Sequence, residues 1–180
     1  MRGRLIAVVG ASGAGKDTVI AYARERLEGG VLFVRRSITR SADPHEDHEP
    51  LSREAFTRRE AAGGFCATWD AHGLRYGIPA EAAVHVGNGG TAVLNGSRRA
   101  LSMLHGVFAR VRVVEVEASE AIRAVRLAAR AREEDALIRR RLGRATMDYP
   151  GRGSAIRIVN EGEPARAGEA FLRIVQDHQP

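Results

Sequence analysis

With 180 residues, of which 44% are hydrophobic and 28% charged, the chain fits one compact domain with room for small inserted lobes. No run of about 18 apolar residues exists, which excludes a membrane-spanning helix, and the short apolar opening lacks the length and cleavage site of a secretory signal, so a cytoplasmic protein is expected. The net charge of +6 and a pI near 10.5 invite nucleic acid, yet the arginines are dispersed and aromatics reach only 5%, few for stacking platforms; a small polyanionic substrate fits as well.

Residues 5–9 form a continuous apolar run of the kind found in buried parallel strands. The chain then reads Gly10-Ala11-Ser12-Gly13-Ala14-Gly15-Lys16-Asp17-Thr18, a Gly-x-x-x-x-Gly-Lys phosphate loop set between that strand and a helix predicted over 18–27. The glycines let several backbone N–H groups curl toward phosphate oxygens, and the helix start adds partial positive charge. Lys16 is the sole lysine among 28 basic residues, at a position that needs a compact ammonium rather than a planar guanidinium. An ordinary glycine-rich turn would not combine this spacing with these flanks. The next position usually offers a Ser or Thr hydroxyl to Mg2+, but here it is Asp17, followed by Thr18. A carboxylate is also a hard oxygen donor, so Asp17 and Thr18 are both candidate metal-side ligands. Alternatively, Asp17 only favours the first helical turn.

Gly29-Gly30 stops the helix, and residues 31–34 are a second strand. Arg35, Arg36 and Arg40 leave it at the edge where open α/β sheets bind ligands. Residues 37–51, polar and acidic with Pro44 and Pro50, read as a loop or lobe. Ser52 is a helix cap, with the helix running to Gly63-Gly64. Residues 65–69 and 74–78 suggest a hairpin around Asp70-Ala71-His72-Gly73, and Pro79 opens a helix through Val86. The interval 37–90 interrupts the alternation of strands and helices. It is therefore read as an inserted acceptor lobe on a core of residues 1–36 and 91–180. Arg75 and Tyr76 could add phosphate contacts, whereas Phe65 and Trp69 read as lobe core. His45, His48 and His72 lack zinc spacing, and Cys66 has no second cysteine to pair with.

A third core strand over 91–94 ends at Asn95-Gly96-Ser97-Arg98. A helix near 100–105, a strand over 111–116, an arginine-rich helical stretch over 120–147, and a strand over 155–159 follow. Asn160 then comes as a candidate neighbour of adenine, or as a plain strand terminator. A closing helix over 163–176 carries apolar Ala167, Ala170, Phe171, Ile174 and Val175. The alternation predicts an α/β fold: a three-layer P-loop core with a five-stranded parallel sheet. The second cationic group comprises Arg123, Arg126, Arg130, Arg132, Arg139, Arg140, Arg141 and Arg144. Most of these read as solvated helix surface near Glu133, Glu134 and Asp135. Arg126, Arg130 and Arg141 are candidates for a lid over about 126–145, and Lys16, Arg126 and Arg130 are the candidate catalytic cations.

The order of strand, glycine loop, Ser37-Ile38-Thr39-Arg40, inserted lobe, Tyr76-Gly77 and arginine-rich lid resembles the guanylate-kinase-like nucleoside monophosphate kinases. Five segments carry a closer resemblance over nearly the whole chain. They are Gly15-Lys16-Asp17, Ile38-Thr39-Arg40, Glu46-x-His48-x-x-Leu51-Ser52-x-x-x-Phe56, Trp69-x-Ala71-His72-Gly73-Leu74-x-Tyr76-Gly77, and Val93-Leu94-Asn95-Gly96-Ser97-Arg98. Together they are similar to the ribose 1,5-bisphosphate phosphokinases of bacterial phosphonate degradation.

The resemblance implies that ATP, with Mg2+, donates its γ-phosphate to the 1-phosphate of ribose 1,5-bisphosphate, giving 5-phosphoribosyl 1-diphosphate. Guanylate kinases place a second arginine where Asp43 stands and an acidic guanine reader where Asn95-Gly96-Ser97 lies. The departures suit a sugar phosphate met by His72, Asn95 and Ser97, with Arg40 and Tyr76 on phosphate and Arg98 beside them. A GMP-directed kinase and a non-catalytic binding module of the same fold are the alternatives; the intact Gly15-Lys16 argues against the second. The expected partners are ATP and a small sugar phosphate, without nucleic acid or membrane. The oligomeric state stays open, a homodimer being one option.

Overall fold

The structure is a computed structural model that describes residues 3–42, 47–129, 149 and 151–177. Five strands form a parallel sheet in the order β2-β7-β1-β8-β9, and four more form a second sheet in the order β4-β3-β6-β5. Strand β1 (Arg4–Val9) is buried along its whole length, as its unbroken apolar run predicts. The chain forms two compact units, one of Met1–Ala7, Glu28–Leu94 and Ala100–Arg112, the other of Val8–Leu27, Asn95–Arg99 and Val113–Pro180.

In the first unit β2 (Val31–Val34) runs parallel to β7 (Thr91–Asn95), with Val31 opposite Thr91 and Val34 opposite Leu94. The predicted hairpin is β5 (Phe65–Ala71) and β6 (Leu74–Pro79). It turns at His72-Gly73, where both residues have positive φ (55° and 74°), the sense that matches the twist of the flanking strands. Residues 37–51 are not simply a loop. They contribute β3 (Arg36–Ile38), antiparallel to β6, and β4 (His48–Pro50), parallel to β3. Side chains join the latter pair: the Ser37 hydroxyl donates to Glu49 at 2.6 Å. Strand β4 is at the sheet edge, where its terminal Pro50 withholds no needed donor.

Helix α2 (Arg53–Ala61) is capped as read, Ser52 Oγ accepting the Ala55 N–H at 3.1 Å. It buries Phe56, which stacks on Phe65 with centroids 4.6 Å apart. The unit is completed by α3 (Ala80–Gly87) and α4 (Leu101–Val107), the latter burying Leu101 and Leu104.

In the second unit β8 (Val111–Glu117) is paired in parallel with β9 (Ile156–Val159) over Val114–Glu117. Helix α1 (Lys16–Arg26) packs on α6 (Pro164–Gln176). The buried stripe of α6 is Ala167, Gly168, Phe171, Leu172 and Val175. It differs from the predicted stripe because a close helix contact at Gly168, where any Cβ would enter the Tyr22 ring, turns Gly168 and Leu172 inward and leaves Ala170 outside. Tyr22 also donates its hydroxyl to Glu169 at 3.0 Å. Helix α5 (Glu120–Ala129) follows β8. Among the described residues, no helix is long and apolar enough to cross a membrane.

Candidate active site

The second unit contains the whole glycine loop between the end of β1 and the start of α1. Two glycines are required by geometry. At Gly10 (φ 151°) a Cβ would collide with the Val116 carbonyl oxygen, and at Gly15 (φ 93°) with the Asn160 side-chain amide. Gly15 is also the N-cap of α1 and offers no side chain to it. The helical hydrogen-bond ladder begins at the Val19 N–H, which donates to Gly15 C=O at 3.2 Å, so the amides of residues 16–18 precede it at the positive end of the helix. The Lys16 ammonium lies back over the loop, donating to the Gly10 and Ala11 carbonyls at 3.1 and 3.3 Å.

Three side chains from distant parts of the unit hold or approach this loop. Asn160, following β9 and 3% exposed, donates its amide to Ala14 C=O at 2.8 Å and fixes its own backbone on Glu117 C=O. Arg126 on α5 directs Nη1 at the Gly13 and Ala14 carbonyls, at 3.5 and 3.4 Å. Asn95, ending β7, donates its amide to the Asp17 carboxylate at 2.7 Å. Asp17 is half-buried, while Thr18, the other candidate metal-side residue, is exposed. Ser12 lies within the loop beside buried Gly13 and Ala14.

Beside the loop is a cavity of about 280 Å³ lined by Ala11, Arg98, Glu115, Ser119, Arg123 and Arg152 among others, small for an entire cofactor. Glu115 is 3% exposed and is neutralised from several sides. Tyr149 donates its hydroxyl at 3.0 Å, and Arg152 and Arg98 lie at 3.5 and 3.9 Å. Burial, with the Glu115 hydrogen bond and charge added, pushes the Tyr149 phenol up to about 12. Arg123 is equally buried and donates Nε to Ala118 C=O. Sequence reading did not single out Glu115, Tyr149 or Arg152. The available signal was a charged residue inside the apolar run of β8.

The acceptor candidates fall in both units. In the second, the Arg98 side chain is 7% exposed and turned to Glu115, and Ser97 Oγ accepts the Arg99 N–H at 3.3 Å. In the first, Arg40 follows β3, and Tyr76 on β6 stacks on Trp69 at 5.1 Å with the Arg36 guanidinium 6.0 Å from its ring. His72 is exposed at the hairpin turn. Arg75, a predicted phosphate contact, is instead held by both Glu60 oxygens at 2.8 and 3.0 Å. The hydrogen bond from Thr68, then Arg75, holds the Glu60 carboxyl below the usual carboxylate range. The Ser37 hydrogen bond, with Arg59 second, does the same for Glu49. Burial raises the Cys66 thiol, which fits a structural rather than nucleophilic role. Arg130, Arg141, most of the 126–145 lid, Asp43, His45 and Glu46 lie outside the described residues.

Comparison with known proteins places this geometry in context. The chain is 48% identical over 175 residues to a ribose 1,5-bisphosphate phosphokinase PhnN of Pseudofrankia inefficax, covering 97% of this chain and 92% of that one. It is 46% identical over 172 residues to the protein of the same name from Chromobacterium violaceum (95% and 92% covered), and 41% over 175 residues to that from Agrobacterium fabrum (96% of each). Among solved structures, guanylate kinase from Anaplasma phagocytophilum matches with a TM-score of 0.65 at 19% identity, covering 97% of this chain and 85% of that one. A sugar kinase from Janibacter sp. HTCC2649 matches with a TM-score of 0.53 at 16% identity, covering 97% and 95%. No protein-family model matches the chain. The structural likenesses speak for the fold, whereas the near-full-length identities speak for kinship: the chain belongs to the ribose 1,5-bisphosphate phosphokinase family.

Proposed function

We propose that this chain transfers the γ-phosphoryl group of ATP to the 1-phosphate of ribose 1,5-bisphosphate, yielding 5-phosphoribosyl 1-diphosphate in the cytoplasm. The single observation that carries the reading is 48% identity across 97% of the chain to a relative of that name. The phosphate loop supplies its chemistry. Backbone N–H groups ahead of α1 and the Lys16 ammonium meet the donor's phosphates, with Arg126 against the same loop. Arg40, Tyr76 and His72 in the first unit and, separately, Ser97 in the second are the acceptor-side candidates.

Transfer needs no protein base, because the attacking phosphate oxygen is already ionised at neutral pH. Positioning and neutralisation of the equatorial oxygens carry the rate. Mg2+ fits the residues present. Asp17 offers a hard carboxylate with one oxygen held by Asn95 and no partner on the other among the described residues, and exposed Thr18 follows. The ion would neutralise charge on the donor's phosphates.

The test is to compare kcat/KM for ribose 1,5-bisphosphate and GMP with ATP as donor. The sugar is expected to be strongly preferred; a preference for GMP overturns the assignment.

A further inference from the structure

In many P-loop enzymes the metal ion is held by the Ser or Thr after the lysine together with an aspartate supplied from elsewhere in the chain. Here the two chemistries stand in exchanged places. The acid, Asp17, follows Lys16 at the start of α1, and a neutral amide, Asn95, ends β7. The two side chains meet although 78 residues separate them, Asn95 Nδ2 donating to Asp17 Oδ1 at 2.7 Å. The other end of the amide, Asn95 Oδ1, is buried and has no hydrogen-bond partner among the described residues.

That unsatisfied oxygen matters. A buried carbonyl without a partner is unfavourable, and flipping the amide would only turn its oxygen toward a carboxylate, oxygen against oxygen. The orientation of Asn95 is therefore set by Asp17. Asparagine is also required in charge, because an aspartate at 95 would put two carboxylates within 3 Å. We infer that Asn95 is a positioning residue: it holds Asp17 so that the second carboxylate oxygen is presented to the metal side of the bound nucleotide, and the pair is a transposed form of the usual hydroxyl–aspartate arrangement.

This inference uses the kinase reading only in taking the donor to be a Mg2+–nucleotide. Its test contains no acceptor, so its failure is distinguishable from failure of the sugar-phosphate assignment. Binding of a non-hydrolysable ATP analogue is measured by calorimetry with and without Mg2+ for the wild type, N95A, D17N, N95D and the exchange D17N/N95D. Melting temperatures confirm folding, and the near-isosteric exchange guards against a collapsed variant.

N95A should weaken the Mg2+-dependent part of the affinity by about 10–100-fold, the usual cost of losing a group that orients a metal ligand, and D17N, which loses the ligand itself, by at least as much. N95D should also be impaired by its facing carboxylates. The exchange remakes the hydrogen bond with donor and acceptor reversed but presents a neutral amide oxygen from position 17, so it should recover only part of the Mg2+ effect. Unchanged Mg2+ dependence in N95A, or an exchange no better than D17N, overturns the proposal.

Discussion

Gly15 is tightly determined, since its φ of 93° and the amide of Asn160 both disfavour a side chain. G15A should therefore lose nucleotide binding, as read by calorimetry, because either the loop or Asn160 must move. Under the proposed function the Lys16 ammonium neutralises phosphate charge, besides donating to the Gly10 and Ala11 carbonyls of the loop. K16A is expected to lower turnover roughly 10²–10³-fold, the scale of losing one charge-stabilising donor, with the fold retained. Tyr149 gives a prediction about pH. The phenol titrates near 10.0 when unperturbed but at about 12 in the fold. Above pH 10 the unfolded chain releases a proton that the folded protein keeps. Stability is thus intact below that pH and is lost as pH rises toward 12. Melting curves across this range should show the loss in wild type and a reduced slope in Y149F.

At the level of elements, continuous or capped segments were readable and long-range ones were not. Strand β1, the loop, β7 and β8 followed from apolar runs, and α2 from Ser52. S52A should destabilise the protein by about 1 kcal/mol in denaturant melts, the usual cost of a lost cap. Strands β3 and β4 escaped notice because each has only three residues and takes its extended form from pairing, with Ser37 on Glu49. That hydrogen bond holds the Glu49 carboxyl low, so its contribution is present above the ordinary carboxylate pKa of 4.5 and is lost as pH falls through the lowered folded value. S37A should accordingly lose part of the acid-side slope in pH-dependent melts. The α6 stripe was misaligned because the sequence gives a period but not which helix presses on Gly168. The site shows the same division. Its phosphate loop was legible in eight consecutive residues, whereas the hydrogen bond from Asn95 to Asp17 was not, because nothing local reveals that pairing.

For the whole molecule, the two compact units carry different candidate residues. The second contains the glycine loop, Arg126, Asn160 and the Asp17–Asn95 pair; the first contains Arg40, His72 and Tyr76 on the four-stranded sheet and its turns. Similarity to named relatives runs through both, covering 95–97% of the chain. The central claim is the identity of the acceptor, which no single loop decides. The most direct test follows the γ-phosphoryl of isotopically labelled ATP by phosphorus NMR in the presence of ribose 1,5-bisphosphate and GMP together. The label is expected to enter the outer phosphate of 5-phosphoribosyl 1-diphosphate, and K16A should slow that transfer roughly 10²–10³-fold. Label appearing in GDP, with none on the sugar, would contradict it.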